Sequence, residues 1–160
     1  MKQIWAPWRS VYLGTGSSGG CIFCTMLGEE PSKDDANLIL RRGEKCFVVM
    51  NRYPYTNGHI MVVPNRHVGD YDQLTEDESL EIFRFTQMML KALRSFSPDG
   101  FNIGVNMGRI AGAGVPGHVH VHVVPRWGGD TNFMPIFSDA RVISESLEVT
   151  FKKLKDALGA

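Results

Sequence analysis

The sequence lacks a surplus of either charge, a long apolar run and a cysteine-rich framework. Its 17 Lys and Arg residues are balanced by 17 Asp and Glu residues, so the formal net charge is zero. Proteins that neutralise many nucleic-acid phosphates usually carry a basic surplus, so neither DNA nor RNA is an expected partner. The sequence contains no run of about 18 apolar residues, the length that a helix needs to cross a bilayer. The N-terminus also lacks the apolar segment of a secretory signal.

Cysteine is scarce, with three residues in a chain of 160. An odd number cannot close a complete disulfide framework, so a reducing, cytoplasmic compartment is expected. The length suits one domain, and 43% hydrophobic residues can form a core without staples. We therefore expect residues 21–160 to form a single domain. Residues 1–20 are expected to form an aromatic arm, with Trp5, Trp8 and Tyr12, and a Gly/Ser connector.

Hydrophobic periodicity predicts an α+β fold, with an antiparallel sheet, one long helix and a C-terminal helix. Thr75, followed three residues later by Glu78, has the capping-box pattern, and an apolar stripe continues from Ile82 to Phe96 at spacings of three and four. The C-terminal helix is expected from about Ser144. The predicted strands cover residues 46–50, 59–64, 101–106 and 118–125.

Histidine and valine alternate from His118 through His120 to His122, and this is the most informative segment of the chain. Side chains on a strand alternate between its faces, so the three imidazoles share one face at intervals of about 6.6–6.8 Å. The valines then face the core. A row of imidazoles must be solvated, hydrogen-bonded or bound to a metal. A lone histidine is usually structural, but three in perfect alternation indicate a functional site.

Two chemistries suit this row of imidazoles. Ring nitrogens can bind a catalytic metal that keeps an open coordination position. Alternatively, one imidazole can attack phosphorus while its neighbours orient it and offset the developing charge. A loop rich in glycine, residues 108–117, lies directly before the row. Glycines let backbone N–H groups approach phosphate oxygens closely, so the position of this loop favours phosphorus chemistry.

The histidine row, the two apolar residues after it and the glycine loop before it resemble the signature of the histidine triad (HIT) family of nucleotidyl hydrolases and transferases. Residues 51–64, which end in Asn-Gly-His-Ile-Met-Val-Val-Pro, match the earlier strand pair of that family. The resemblance covers about residues 21–128. The aromatic arm and the tail at residues 125–135 resemble the small bacterial diadenosine tetraphosphate phosphorylase branch.

The resemblance implies that His120 attacks the α-phosphorus and forms a nucleotidyl-histidine intermediate. His122 and His59 would lie beside the phosphate, with His118 completing the catalytic set. Asn51 matches a position that binds ribose hydroxyls, and Asn106 matches a polar residue near the phosphate or the leaving group. The other implied nucleotide-binding residues are Gly112 and Gly114 in the phosphate loop, and Ile22, Phe23, Met26, Val49 and Met61 in a purine pocket, where each is equally plausible as plain core.

Cys21-x-x-Cys24 by itself suits either a redox pair or a metal site. Related bacterial members of the HIT family complete a zinc site with two histidines, and His67 and His118 match those positions. Two thiolates and two imidazoles form the closed, structural type of zinc site. The resemblance thus implies a structural zinc and no organic cofactor, with Mg²⁺ expected only in association with the substrate.

The expected substrate is a purine nucleotide or dinucleoside polyphosphate, cleaved by hydrolysis or by phosphorolysis, and family members pair into homodimers or higher oligomers. Two departures bear on the assignment, the first favouring the smaller members of the family and the second weakening the phosphoramidase alternative. His122 stands where larger phosphorylases and uridylyltransferases carry glutamine, and residues 115–117 lack the serine of the phosphoramidase branch. The alternatives are a purine nucleoside phosphoramidase, a nucleotide-binding module with little turnover and a metal-dependent hydrolase.

Overall fold

The computed structural model describes residues 20–131 and 142–159, and within them the chain folds into one antiparallel sheet with flanking helices. The predicted α+β class is confirmed. Short 3₁₀ turns precede or follow several of the helices. The elements are α1 Ile22–Gly28, α2 Asp34–Asn37, β1 Ile39–Arg42, β2 Cys46–Met50, β3 Ile60–Pro64, α3 Glu76–Leu93, β4 Gly100–Val105, β5 Val121–Arg126 and α4 Leu147–Leu158.

The five strands lie in the order β1-β2-β3-β5-β4, and each neighbouring pair is antiparallel. β2 and β3 form the centre and are buried along their whole length, because their apolar, β-branched residues face covering elements on both sides. β4 lies at one edge. The strand that carries His122 is therefore held between the central β3 and the edge strand β4.

The long helix α3 begins as its sequence predicts. The Thr75 hydroxyl accepts the backbone N–H of Glu78, and the Glu78 carboxylate accepts the backbone N–H of Thr75. Ile82, Met89 and Leu93 are buried against the sheet. The α-helix ends at Leu93, three residues before the end of the predicted stripe, and a 3₁₀ turn continues to Phe96.

The prediction that the last strand begins at His118 is wrong, because β5 begins at Val121. The register that pairs Val62 with Val121 would place Pro64 opposite Val119. Pro64 has no backbone N–H for a ladder, and the Val119 N–H donates instead to the Val68 carbonyl at 2.7 Å. Two of the three triad histidines therefore lie just outside the ladder.

β2 has the predicted bounds, residues 46–50, and the boundaries of the other predicted elements differ by at most three residues. α4 begins at Leu147, after an N-cap at Ser146, because the Ser146 hydroxyl accepts the backbone N–H of Val149. The sequence did not predict α1, α2 or β1. Residues 1–19, 132–141 and 160, which include the aromatic arm and the last four residues of the tail at 125–135, lie outside the described residues. Among the described residues, no helix combines the length and the hydropathy that a bilayer crossing requires.

Candidate functional site

The sheet brings two distant histidines together. Met61 of β3 pairs with His122 of β5, and His59 stands immediately before β3. Nε2 of His59 lies 2.9 Å from Nδ1 of His122, a hydrogen-bond distance between two buried rings. The two predicted catalytic residues therefore act as one hydrogen-bonded pair, although 63 positions separate them in the chain.

The proton positions in this pair follow from the donors around it. The backbone N–H of Tyr55 donates to Nδ1 of His59 at 3.1 Å, and the Asn51 side-chain amide lies 3.3 Å from the same nitrogen. Since that nitrogen accepts, His59 carries its hydrogen on Nε2 and donates it to Nδ1 of His122. His122 then carries its own hydrogen on Nε2.

His120 has the opposite tautomer. Its Nδ1 lies 2.9 Å from the carbonyl oxygen of His118, which can only accept, so Nδ1 carries the hydrogen and Nε2 holds a lone pair. The ring is 4% exposed, and burial lowers the pKa of His120, although the bond to the His118 carbonyl opposes this effect. The centroids of the His120 and His122 rings are 4.7 Å apart. A neutral imidazole with a lone pair on Nε2 thus lies beside a hydrogen-bond donor.

Open space adjoins His122 on the side of the edge strand. Gly104 of β4 lies directly opposite His122, and residues that are opposite each other place their side chains on the same face. A Cβ atom at Gly104 would meet no other atom within 4 Å. The absence of a side chain at Gly104 therefore leaves room for a ligand next to the histidine pair.

A second cluster joins Cys21, Cys24, His67 and His118, whose ligand atoms all lie within 4.8 Å of one another. Nδ1 of His118 is 3.3 Å from Sγ of Cys21 and 3.6 Å from Sγ of Cys24, and Nδ1 of His67 is 3.3 Å from Sγ of Cys24. A tetrahedral zinc with Zn–S of about 2.3 Å and Zn–N of about 2.0–2.1 Å places its ligands roughly 3.3–3.8 Å apart. The cluster is compatible with zinc binding.

The protonation of His118 suits a metal ligand. Its Nε2 donates to the Pro64 carbonyl at 2.8 Å, which leaves the lone pair on Nδ1, the nitrogen that faces the two sulfurs. Burial lowers the pKa of His118 and so favours the neutral ring that a metal requires. Burial and then the neighbouring Cys21 raise the pKa of the Cys24 thiol. A cation bound between the two sulfurs would lower that pKa again, because it favours the thiolate.

Helix α1 holds the two cysteines against the histidines. Phe23, which is buried, places its ring 5.4 Å from that of His118 and 5.2 Å from that of His120. Arg42 of β1 binds the end of α1 by donating to the carbonyls of Leu27, Met26 and Glu29, and it pairs with the Asp34 carboxylate at 2.7 Å. The sequence offered no pattern that identifies this role of Arg42.

Several predicted nucleotide-binding residues make contacts within the protein. Asn51 is 5% exposed, and its Oδ1 accepts the Tyr53 N–H at 2.9 Å while its amide faces His59. The N–H of Gly112 donates to the Arg109 carbonyl, so this glycine, at φ +92°, turns the loop. Asn106 follows β4 directly, and Gly114 follows Gly112 by two residues. In the predicted purine pocket, Phe23, Val49 and Met61 are buried, Met26 is partly buried and Ile22 is half exposed.

Comparison with known sequences identifies the class of protein to which this antiparallel sheet and its paired imidazoles belong. The model of the HIT domain matches residues 32–129, and the chain belongs to the HIT family. An AP-4-A phosphorylase from Mycobacterium tuberculosis is 38% identical over 161 residues, which cover 96% of this chain and 83% of that protein. A bifunctional bis(5'-adenosyl)-triphosphatase/adenylylsulfatase from Arabidopsis thaliana is 29% identical, over 84% of this chain and 72% of its own length.

Solved structures have the same fold. A Zn-bound histidine triad family protein from Mycobacterium smegmatis superposes with a TM-score of 0.69 at 26% identity, covering 89% of this chain and 96% of that one. A hypothetical histidine triad nucleotide-binding protein from Sulfolobus tokodaii gives a TM-score of 0.68 at 26% identity, with coverage of 87% and 92%. The Cys/His cluster thus belongs to a fold in which a zinc-bound example has been solved.

Proposed function

We propose that this protein cleaves dinucleoside polyphosphates of the diadenosine tetraphosphate type through a nucleotidyl group carried on His120. The observation that carries the proposal is the tautomer of His120. Its Nδ1 hydrogen is bound to the His118 carbonyl, so Nε2 holds a lone pair within a ring that packs against His122. Similarity to an AP-4-A phosphorylase over 96% of this chain supports the substrate class.

In the first step, Nε2 of His120 attacks the innermost phosphorus. A P–N bond forms, and the P–O bond to the rest of the polyphosphate breaks with its electron pair on the leaving oxygen. In the second step, an oxygen of water or of inorganic phosphate attacks the same phosphorus, and the P–N electron pair returns to Nε2. Water gives a nucleoside monophosphate and releases a proton, whereas inorganic phosphate gives a nucleoside diphosphate. The similarity to a phosphorylase favours inorganic phosphate as the acceptor.

His122 and His59 stabilise the charge in this mechanism. Since His59 donates to Nδ1 of His122, the Nε2 hydrogen of His122 is available to a phosphate oxygen as negative charge develops during bond cleavage. Both rings are buried, and low local polarity strengthens such a contact. His118 contributes through its carbonyl oxygen, which orients the nucleophile.

The nucleotide is proposed to lie along the face of the sheet that carries the histidines. Asn51 retains one amide hydrogen and one lone pair beyond its internal contacts and is proposed to bind ribose hydroxyls. Asn106 is proposed to contact the phosphate or the leaving group. The backbone N–H groups of the loop at Gly112 and Gly114 would donate hydrogen bonds to oxygens of the polyphosphate. The proposed purine pocket consists of Ile22, Phe23, Met26, Val49 and Met61.

Cys21, Cys24, His67 and His118 are proposed to hold a structural zinc. Four protein ligands leave no open coordination position, so this zinc would stabilise the fold and would not activate water. Bound zinc would fix α1 against the histidines. A reducing cytoplasm would keep the thiolates available, and all three cysteines in the described residues are free thiols.

A homodimer is proposed as the working form. β4 lies at the edge of the sheet, where its outer backbone groups can pair with a second chain. Ile103 on this strand is 51% exposed, and Phe83 on α3 is 59% exposed. Light scattering after size exclusion should give about twice the monomer mass of 17.9 kDa, and a monomer at micromolar concentration would contradict the proposal.

The mechanism is tested with His120→Ala, diadenosine tetraphosphate and an alkaline denaturing quench. Wild type should yield an acid-labile adenylyl adduct on His120, and the variant should lose about 10³-fold or more in turnover while keeping nucleotide affinity, because the ring that bonds to phosphorus is gone. Equal zinc content and unfolding midpoint serve as the fold control. Wild-type turnover by the variant would overturn the mechanism, and nucleotide binding without any turnover by the wild type would indicate a binding module.

The acceptor is tested by product analysis with labelled inorganic phosphate. Phosphorolysis predicts ATP plus ADP, with the label in the terminal phosphate of ADP. Unlabelled AMP plus ATP would identify water as the acceptor and contradict phosphorolysis without touching the role of His120. Two unlabelled ADP would show attack at an inner phosphorus and would contradict an adenylyl group on His120.

A further inference from the structure

Tyr55, in the turn between β2 and β3, contacts the histidine pair through both its backbone and its ring. Its N–H donates to Nδ1 of His59 at 3.1 Å. The centroid of its ring lies 4.5 Å from that of His59 and 5.8 Å from that of His122, where the two planes differ by 29°. A single residue thus touches both members of the pair.

The backbone contact determines where the hydrogens of the pair lie. A backbone N–H can only donate, so Nδ1 of His59 must accept and its hydrogen must be on Nε2. That hydrogen is donated to Nδ1 of His122 at 2.9 Å, which places the His122 hydrogen on Nε2. The Asn51 side-chain amide lies 3.3 Å from the same nitrogen, so the backbone of the turn and Asn51 together fix the tautomers of the pair.

The ring contact restricts the plane of His122. A stacked aromatic neighbour at this separation opposes rotation about the bond that joins an imidazole to its Cβ. The His120 ring packs against the same imidazole, with the centroids 4.7 Å apart and the planes at 73°. Rotation of His122 would therefore turn its Nε2 hydrogen away from the space beside His120.

The turn itself is anchored by residues other than Tyr55. The Thr56 hydroxyl donates to the Pro125 carbonyl at 2.7 Å, and Asn57 accepts the Thr150 hydroxyl at 2.8 Å. Oδ1 of Asn51 holds the Tyr53 N–H. These contacts tie both ends of the turn to the sheet and to α4, so the Tyr55 ring can be changed while the turn keeps its place.

We propose that Tyr55 is a positioning residue, whose ring holds His59 and His122 in the planes that direct the Nε2 hydrogen of His122 at the substrate phosphate. The proposal rests on the function proposed above, since it assigns a task to the same pair. Tyr55 acts on the histidine pair through its backbone N–H and its ring. An aromatic ring without the hydroxyl should therefore suffice.

The test compares Tyr55→Phe with Tyr55→Leu, and Tyr53→Leu is the matched control. Tyr53 lies in the same turn and its side chain is 60% exposed. Tyr55→Leu should lower kcat about tenfold with KM changed less than about twofold, because a misoriented donor affects charge development more than ground-state binding. Tyr55→Phe and Tyr53→Leu should stay within about twofold of wild type. Wild-type kcat in Tyr55→Leu would overturn the proposal, as would an equal loss in Tyr55→Phe.

The tautomers are measured separately from turnover, by long-range ¹H–¹⁵N spectra of the histidine rings in the zinc-loaded protein. Wild type should show hydrogen on Nε2 in His59 and His122, and on Nδ1 in His120. Tyr55→Leu should keep these tautomers, because the backbone N–H of residue 55 remains, but should weaken the coupling across the hydrogen bond between Nε2 of His59 and Nδ1 of His122 as His122 rotates, with His120 unchanged. Unchanged spectra of the pair would overturn the proposal. If the leucine variant fails to fold, Tyr55→Met replaces it. Since these spectra need no substrate, a wild type that forms no adduct would refute the proposed function and leave this test intact.

Discussion

The carbonyl oxygen of His118 accepts the Nδ1 hydrogen of His120 at 2.9 Å, so one residue serves two neighbouring groups through different atoms. The ring of His118 faces Cys21 and Cys24, and its backbone faces the proposed nucleophile. A change in the position of His118 therefore alters the orientation of His120. The stability of the Cys/His cluster and the reactivity of the triad should vary together.

Loss of one thiolate should reveal this coupling. Cys24→Ser should reduce bound zinc from about one per chain to well below half. It should also lower the free energy of unfolding by about 2.7 kcal/mol where free zinc is a hundredfold above its dissociation constant for the wild type. Metal analysis and urea unfolding measure both effects. Cys46→Ala is the matched control, since burial raises the pKa of that thiol to about 12 and it lies outside the cluster. Full zinc content in Cys24→Ser would exclude the proposed site.

Arg42→Lys should loosen α1. A lysine keeps the charge but loses the planar fork that reaches the Asp34 carboxylate and three carbonyls together. We expect a loss of about 1.5–3 kcal/mol in unfolding free energy, the usual range for hydrogen bonds to charged groups, with faster zinc release to a chelator. Arg41→Lys, at the exposed neighbouring position, should change neither quantity. A wild-type release rate in Arg42→Lys would show that α1 does not depend on this contact.

Acid should weaken the start of α3 through Glu78. The hydrogen bonds from Arg66, and then from the Thr75 backbone, outweigh burial and lower the pKa of Glu78 to about 2. Because the folded pKa lies below the unfolded one of 4.5, the stabilisation is complete above about pH 4.5 and is lost as pH falls towards 2. A shift of this size corresponds to at most about 3 kcal/mol, reduced by the solvent exposure of Arg66.

Urea unfolding of wild type and Glu78→Gln between pH 6 and pH 3 isolates this contribution. The difference in unfolding free energy should be largest near pH 6 and should shrink as the carboxylate takes up its proton. Asp77→Asn, on the exposed side of the same turn, is the control and should show a smaller difference. A wild-type advantage that stays constant down to pH 3 would contradict the assignment.

Gly104→Val should obstruct the substrate without disturbing the sheet. The new side chain would enter the open space opposite His122, and a β-branched residue suits a strand. We expect KM to rise about tenfold or more, the loss of roughly 1.4 kcal/mol of binding, with zinc content and stability preserved. Gly100→Val is the matched control, because it lies on the same strand with equally open surroundings but opposite Arg126. An unchanged KM in Gly104→Val would place the ligand elsewhere.

Sequence patterns predicted those elements whose signal is local. The residues of β2 are apolar and mostly β-formers, and the capping box of α3 needs only Thr75 and Glu78. β1 escaped prediction because its last two residues are arginines, one of which binds α1. The early start assigned to the histidine strand failed for a non-local reason, since the proline that ends its ladder lies in β3.

The candidate site divides in the same way. The alternation of histidine and valine was enough to predict that His118, His120 and His122 belong to a site. Periodicity did not group His67 with Cys21 and Cys24, which it contacts in the structure; the family resemblance did. The contact of Tyr55 with His59 depends on the path of an irregular turn, which propensities do not specify. The bond from the His120 ring to the His118 carbonyl requires a side-chain torsion that the residue order leaves open.

β5 begins at Val121, immediately after His120, so the histidine row spans the strand and the segment that precedes it. His122 lies within the strand. His118 lies before it and is held by its contact with Cys21 and by the hydrogen bond from the Val119 N–H to the Val68 carbonyl. His120 lies between these two parts of the chain. We therefore expect a ligand bound at the glycine loop to change the distance between the His120 and His122 rings without breaking the pairing of the strands.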